Sequence, residues 1–114
     1  MLPTFILAGV EKSGSTSLYH YLSQHPDIFM ADPKEPNYFL GSGPVREEGA
    51  YRALFDAARP GQARGEASVG YMNDPRTAGR IQALIPDVEI LVVLRHPVER
   101  AYSHYNMLVN AGVI

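Results

Sequence analysis

Apolar positions along this chain follow two rhythms in turn. Continuous apolar runs mark strands, and apolar residues recurring every three or four positions mark helices. Residues 4–10 read as a buried strand, and residues 15–24 read as a helix with Leu18, Tyr21 and Leu22 at core spacing. Pro26 closes that helix, and residues 27–30 make a short second strand. Pro33, Pro36, Gly41, Gly43 and Pro44 turn residues 31–45 into a loop anchored by Asn37 to Leu40. A helix over about residues 47–58 carries Tyr51, Leu54 and Phe55 as its stripe and stops at Pro60-Gly61, and residues 65–69 read as a short strand. Asp74-Pro75 supplies an N-cap and a first-turn proline for a helix reaching Ile85. Residues 88–94 are apolar on both faces, the pattern of a central strand in a parallel sheet. From Pro97 a last helix places Val98, Ala101, Tyr102, Tyr105, Leu108 and Val109 on one face, with Arg100, Ser103 and His104 away from it. Tyr19, Tyr21, Tyr102 and Tyr105 are read as packing residues.

Strands alternating with helices predict a three-layer α/β fold around a central parallel sheet. Ligands of such sheets sit beyond the carboxyl ends of the strands, where the loops 11–16 and 95–97 both fall. The chain starts almost on its first strand and ends just after a helical pattern. It is therefore expected to be the N-terminal part of a larger domain, with an incomplete sheet.

With 114 residues there is room for one domain, and 46% apolar residues exclude general disorder. A net charge of −2 excludes molecule-wide attraction to nucleic acid or an acidic membrane, so any anion site must be local. The absence of cysteine excludes disulfides, thiolate zinc sites and a cysteine nucleophile. The longest purely apolar run, Ile90 to Leu94, is far too short to span a bilayer. No signal-peptide pattern is visible, which predicts a cytoplasmic location.

The chemistry concentrates in two places. Between Gly9 and Leu18 a strand runs into a Gly/Ser/Thr loop that holds Lys12 and opens a helix. Such a loop aims backbone N–H groups and a helix N-terminus at one point, which suits a phosphate or sulfate. Its spacing imitates G-x-x-x-x-G-K-[ST], but Ser15 stands where that pattern has lysine. This predicts an anion cradle that is not built for ATP with magnesium. The second place is Arg95, at the end of a buried strand and the start of a helix, with Ser103 eight residues on. A guanidinium there can meet an anion facing the same helix N-terminus. Together the two places suggest a ligand with two separated phosphates.

Lys12-Ser-Gly-Ser-Thr-Ser-Leu18 resembles the 5′-phosphosulfate loop of sulfotransferases that use 3′-phosphoadenosine 5′-phosphosulfate (PAPS). Arg95 to Ser103 resembles their 3′-phosphate motif, Lys34-Glu-Pro-Asn-Tyr-Phe39 the K-E-P-x-F-F segment of the carbohydrate (heparan-type) branch, and Gly65 to Tyr71 the segment that follows it there. Val69 departs from the proline common at its position, and Ser15 from the commoner threonine. The resemblance implies a P-loop-like fold and sulfuryl transfer from PAPS to a hydroxyl or amine, on a carbohydrate. It implies that Lys12 meets the bridging oxygen, that Ser13, Gly14, Ser15, Thr16 and Ser17 hold the 5′-phosphate, and that Arg95 and Ser103 hold the 3′-phosphate. Glu35 falls at the family's glutamate position after lysine and is the expected general base. Lys34, Glu66, Ser68 and Tyr71 either line the site or serve the structure, and His20 and His104 are read as solvated rather than basic. No metal, nucleic acid or membrane span is expected. Two rival readings are a P-loop nucleoside kinase or ATPase, and a non-catalytic nucleotide-binding module.

Overall fold

A computed structural model describes residues 1–9 and 15–93. Four parallel strands, β1 (Phe5–Gly9), β2 (Ile28–Met30), β3 (Ala63–Ala67) and β4 (Glu89–Val92), form one sheet in the order β2-β3-β1-β4. β1 is buried at every residue because it has a strand on each side and a layer on each face. Its alternating side chains divide the core. Phe5 and Leu7 join Tyr19, Met30 and Ala67 on one face, under α1 (Ser15–Ser23). Ile6 and Ala8 join Phe39, Tyr51, Phe55, Tyr71, Ile81 and Ile85 on the other. That second layer comprises α2 (Glu48–Ala53), α3 (Thr77–Leu84) and the 3-10 turns Tyr38–Leu40 and Val69–Asn73. The expected three-layer α/β architecture is therefore present.

Several expectations change in detail. On α1 the core stripe is Leu18, Tyr19 and Leu22, while Tyr21 is 71% exposed. Two residues along a helix is about 200°, so burying Tyr19 turns Tyr21 outward. The Tyr19 hydroxyl donates to the Ala31 carbonyl at 2.8 Å, giving the ring's polar end a partner inside. The second helix is shorter than its pattern, and the chain leaves α2 through turns, yet Tyr51 and Phe55 are both fully buried. α3 starts two residues later than Asp74-Pro75 suggests. Asp74 Oδ1 accepts from the Arg76 amide at 2.9 Å and its carbonyl from the Thr77 amide at 3.1 Å, which makes a turn ahead of the helix. β3 lies earlier than residues 65–69, and Val69 begins the 3-10 turn instead. β4 was expected at the centre of the sheet, but among the described residues it is the outer strand, with Ile90 46% exposed. An apolar pattern on both faces specifies cover above and below a strand, not its place in the order. The helix expected from Pro97 lies outside the described residues.

Connections leave β1 and β3 on opposite faces. From β1 the chain passes under the sheet through α1 towards β2, and from β3 it passes over the sheet through α3 towards β4. Between these neighbours lies the point where winding direction reverses, and the crevice beyond their carboxyl ends is where such sheets bind ligands.

Candidate functional site

The site is built outward from that crevice. β1 ends at Gly9, where an added Cβ would lie 2.6 Å from Met72 Cγ, so a larger residue there would have to displace the Met72 side chain of the 3-10 turn after β3. α1 opens at Ser15, and its first turn carries Thr16 and Ser17 exposed and no acidic side chain. That turn brings unpaired backbone N–H groups and the positive dipole end of the helix, with no acidic side chain of its own. Lys12, Ser13 and Gly14 lie between these two ends and outside the described residues, as do Arg95, Ser103 and His104. Val93 donates its amide to the Gly9 carbonyl at 2.8 Å, so the chain heads into Arg95 from the same edge of the sheet that the Lys12 segment leaves.

Glu35 reaches this edge by a different route. Beyond β2 the chain keeps to the flank of β3, with the Ala31 amide on Gly65 O and the Glu35 amide on Ala67 O, both at 2.8 Å. Ala67 pairs with Leu7 of β1, which puts the Glu35 backbone two strand spacings, roughly 10 Å, from β1. Its carboxylate pairs with Lys34 Nζ at 2.8 Å, and the two side chains are 33% and 22% exposed.

The backbone here is strained. Glu35 has φ 63° and Asn37 φ 55°, both left-handed without being glycine. Such residues cost about 1–3 kcal/mol each and persist only where their surroundings enforce them. Three amides of this segment are tied to β3 and the turn after it. Besides Glu35 on Ala67 O, the Asn37 amide donates to Ser68 Oγ at 3.1 Å and the Phe39 amide to Tyr71 Oη at 3.4 Å.

Behind these ties lies a residue the sequence reading left undecided. Glu66 pairs with Ile6 across the strands and shares its face of the sheet, fully buried against the aromatic layer. Tyr71 donates its hydroxyl to Glu66 Oε2 at 3.0 Å. Burial pushes the Glu66 carboxyl above its usual range, and the hydrogen bond from Tyr71 only partly opposes this. Burial likewise raises the Tyr51 and Tyr71 phenols. Oε1 of Glu66 and Oη of Tyr51 are both buried without a hydrogen-bond partner. Only the register Ile6↔Glu66 could have identified this residue as interior, since a lone glutamate in a short strand gives no such signal. Ser68 and Tyr71 are buried with it, Lys34 is half-buried at the loop, and His20 is exposed, its ring edge-on to Tyr19 at 5.4 Å.

No family model matches the chain. It is 34% identical to a membrane-associated sulfotransferase, kil1, of Dictyostelium discoideum over 92% of its own length and 23% of that protein's. It is 35% identical to human heparan sulfate glucosamine 3-O-sulfotransferase 6 over 90% of its length and 30% of that protein's. A crystal structure of a sulfotransferase from Alicyclobacillus acidocaldarius superposes with a TM-score of 0.82 at 41% identity, covering 98% of this chain and 52% of that one. The chain thus spans about a quarter of the curated relatives and about half of the solved structure. Among the described residues no helix is long and apolar enough to cross a membrane.

Proposed function

We propose that this chain, a member of the sulfotransferase family by sequence and fold, is the donor-binding portion of an enzyme that moves a sulfuryl group from PAPS to a hydroxyl or amine on a carbohydrate. The observation that carries the reading is the meeting, at one switch-point edge, of the β1–α1 frame and the Glu35 loop, two pieces hung on adjacent strands. A helix N-terminus with no acidic residue in its first turn and with Thr16 and Ser17 exposed fits the 5′-phosphate side of the donor.

PAPS supplies the reactive sulfur, which an acceptor oxygen or nitrogen attacks as the bond from sulfur to the bridging oxygen breaks. The chain's own part is to position groups and to meet charge. Backbone N–H groups of residues 13–17, with the Ser15 and Thr16 hydroxyls, cradle the 5′-phosphate. Lys12 meets the growing charge on the bridging oxygen, and Arg95 with Ser103 fixes the 3′-phosphate. Glu35 takes the acceptor's proton. None of these roles calls for a metal.

Calorimetry with 3′-phosphoadenosine 5′-phosphate and with ATP, each with and without magnesium, tests the reading. Tighter binding of the bisphosphate, independent of magnesium, is expected. Equal affinities, or a need for magnesium, would favour the nucleoside kinase or ATPase alternative.

A further inference from the structure

Resting on the reading of Glu35 as the base, we propose that Glu66 is its positioning residue: the buried carboxyl orients the Tyr71 hydroxyl, which accepts from the Phe39 amide and helps hold the backbone of residues 35–39 at the edge of the sheet. The loop needs such a device. Glu35 and Asn37 both sit in left-handed conformations that a free loop would leave. Three amides oppose that relaxation, and two of their acceptors are hydroxyl oxygens, Ser68 Oγ and Tyr71 Oη.

A hydroxyl rotates, and it offers a lone pair in a chosen direction only when its proton is committed elsewhere. Tyr71 commits its proton to Glu66 Oε2 at 3.0 Å. Glu66 is therefore the group that orients the Tyr71 hydroxyl, one of the two that grip the loop. Packing alone does not call for it, because an apolar side chain would fill this fully buried place without the cost of desolvating a carboxyl. What the carboxyl adds is an acceptor oxygen for the Tyr71 hydroxyl. One strand thus ties its interior residue, Glu66, to the loop on its flank.

Backbone amide exchange followed by NMR tests this on the protein and its variants. In Glu66→Leu the Phe39 amide should exchange at least tenfold faster, beyond any change shared by the Ile6 and Leu7 amides of β1. Glu66→Gln retains an acceptor oxygen and should keep most of the protection. Ser68→Ala should release Asn37 and leave Phe39 protected. Loss of protection at 39 merely in step with β1 would overturn the proposal, because it would mark a general loss of stability. Should Glu66→Leu not fold, the unaltered protein decides: the Tyr71 hydroxyl proton should exchange slowly and show a nuclear Overhauser effect to the Glu66 methylenes, and its absence overturns the assignment. Turnover separates the two readings. If Glu66→Leu loosens the loop, kcat should fall while donor affinity holds. A loosened loop with unchanged kcat would leave the positioning intact and remove Glu35 as the base.

Discussion

Exchanging Glu66 for glutamine should change how stability depends on pH. In the folded protein, burial raises this carboxyl above the ordinary value of 4.5. In the window from about 4.5 up to the raised folded value, the native state keeps a proton that the unfolded chain has released. Stability from this group is therefore complete below about pH 4.5 and declines as pH rises through the window, by up to about 1.4 kcal/mol per pH unit. Glu66→Gln resembles the protonated acid in shape and in having both an acceptor and a donor, but it does not titrate. The variant should match the parent in mild acid and become relatively more stable as pH rises. Urea denaturation of both proteins at half-unit steps from pH 4 to 8 measures this, and the difference between the curves cancels carboxylates common to both. Asp74, held at about 2 by its bonds to Arg76, titrates below the window. A difference that stays flat with pH would refute the reasoning, since Glu66 would then be ionised in the folded protein as in the unfolded one.

Further outcomes follow from other contacts. Arg95→Ala should weaken binding of 3′-phosphoadenosine 5′-phosphate by about 1.5–3 kcal/mol by calorimetry, the worth of a hydrogen bond to a charged group. Lys12→Ala should spare that affinity and cost about 3–4 kcal/mol in kcat, as loss of a donor to developing charge does; equal effects on both quantities would contradict the division of roles. Gly65→Ala places a methyl inside the Phe5 ring and should cost about 1–3 kcal/mol in denaturation, with Phe5→Leu in the same chain recovering part of the loss. Tyr19→Phe leaves the Ala31 carbonyl without the hydroxyl's bond, and a loss of about 1–2 kcal/mol is expected from thermal or urea unfolding.

The elements that could be read from the sequence were those whose burial follows from local periodicity. The buried run of β1 and the burial of Tyr51 and Phe55 lie where expected, whereas α2 ends at Ala53, well short of Pro60. Choices made between elements were harder to read. Whether Tyr19 or Tyr21 enters the core depends on how α1 is rotated against Phe5 and Leu7, and spacing alone permits either. The outer place of β4 among the described residues depends on strand order, which hydropathy does not encode. At the site, the glutamate after lysine was visible as a type and a position. Its left-handed backbone is held by its own amide on Ala67 O and by the Asn37 and Phe39 amides on Ser68 and Tyr71, partners more than thirty positions away. Glu66 was hidden because a carboxylate in an interior strand runs against the very pattern by which strands are recognised.

Adjacent strands carry the two sides of the site, and this bears on how such a protein can diversify. The frame that leads into the Lys12 segment belongs to β1 and α1, whereas the Glu35 loop hangs from β3, and the two are joined by the register Phe5↔Gly65, Ile6↔Glu66 and Leu7↔Ala67. Phe39 and Val45 add a second join, because they share a core with Ile6 and Ala8 of β1. Room for variation therefore lies in the exposed residues between them, Ser42 and Pro44. Exchanging those two, with Phe39 and Val45 kept, alters the surface beside the Glu35 loop while the strand frame keeps its place.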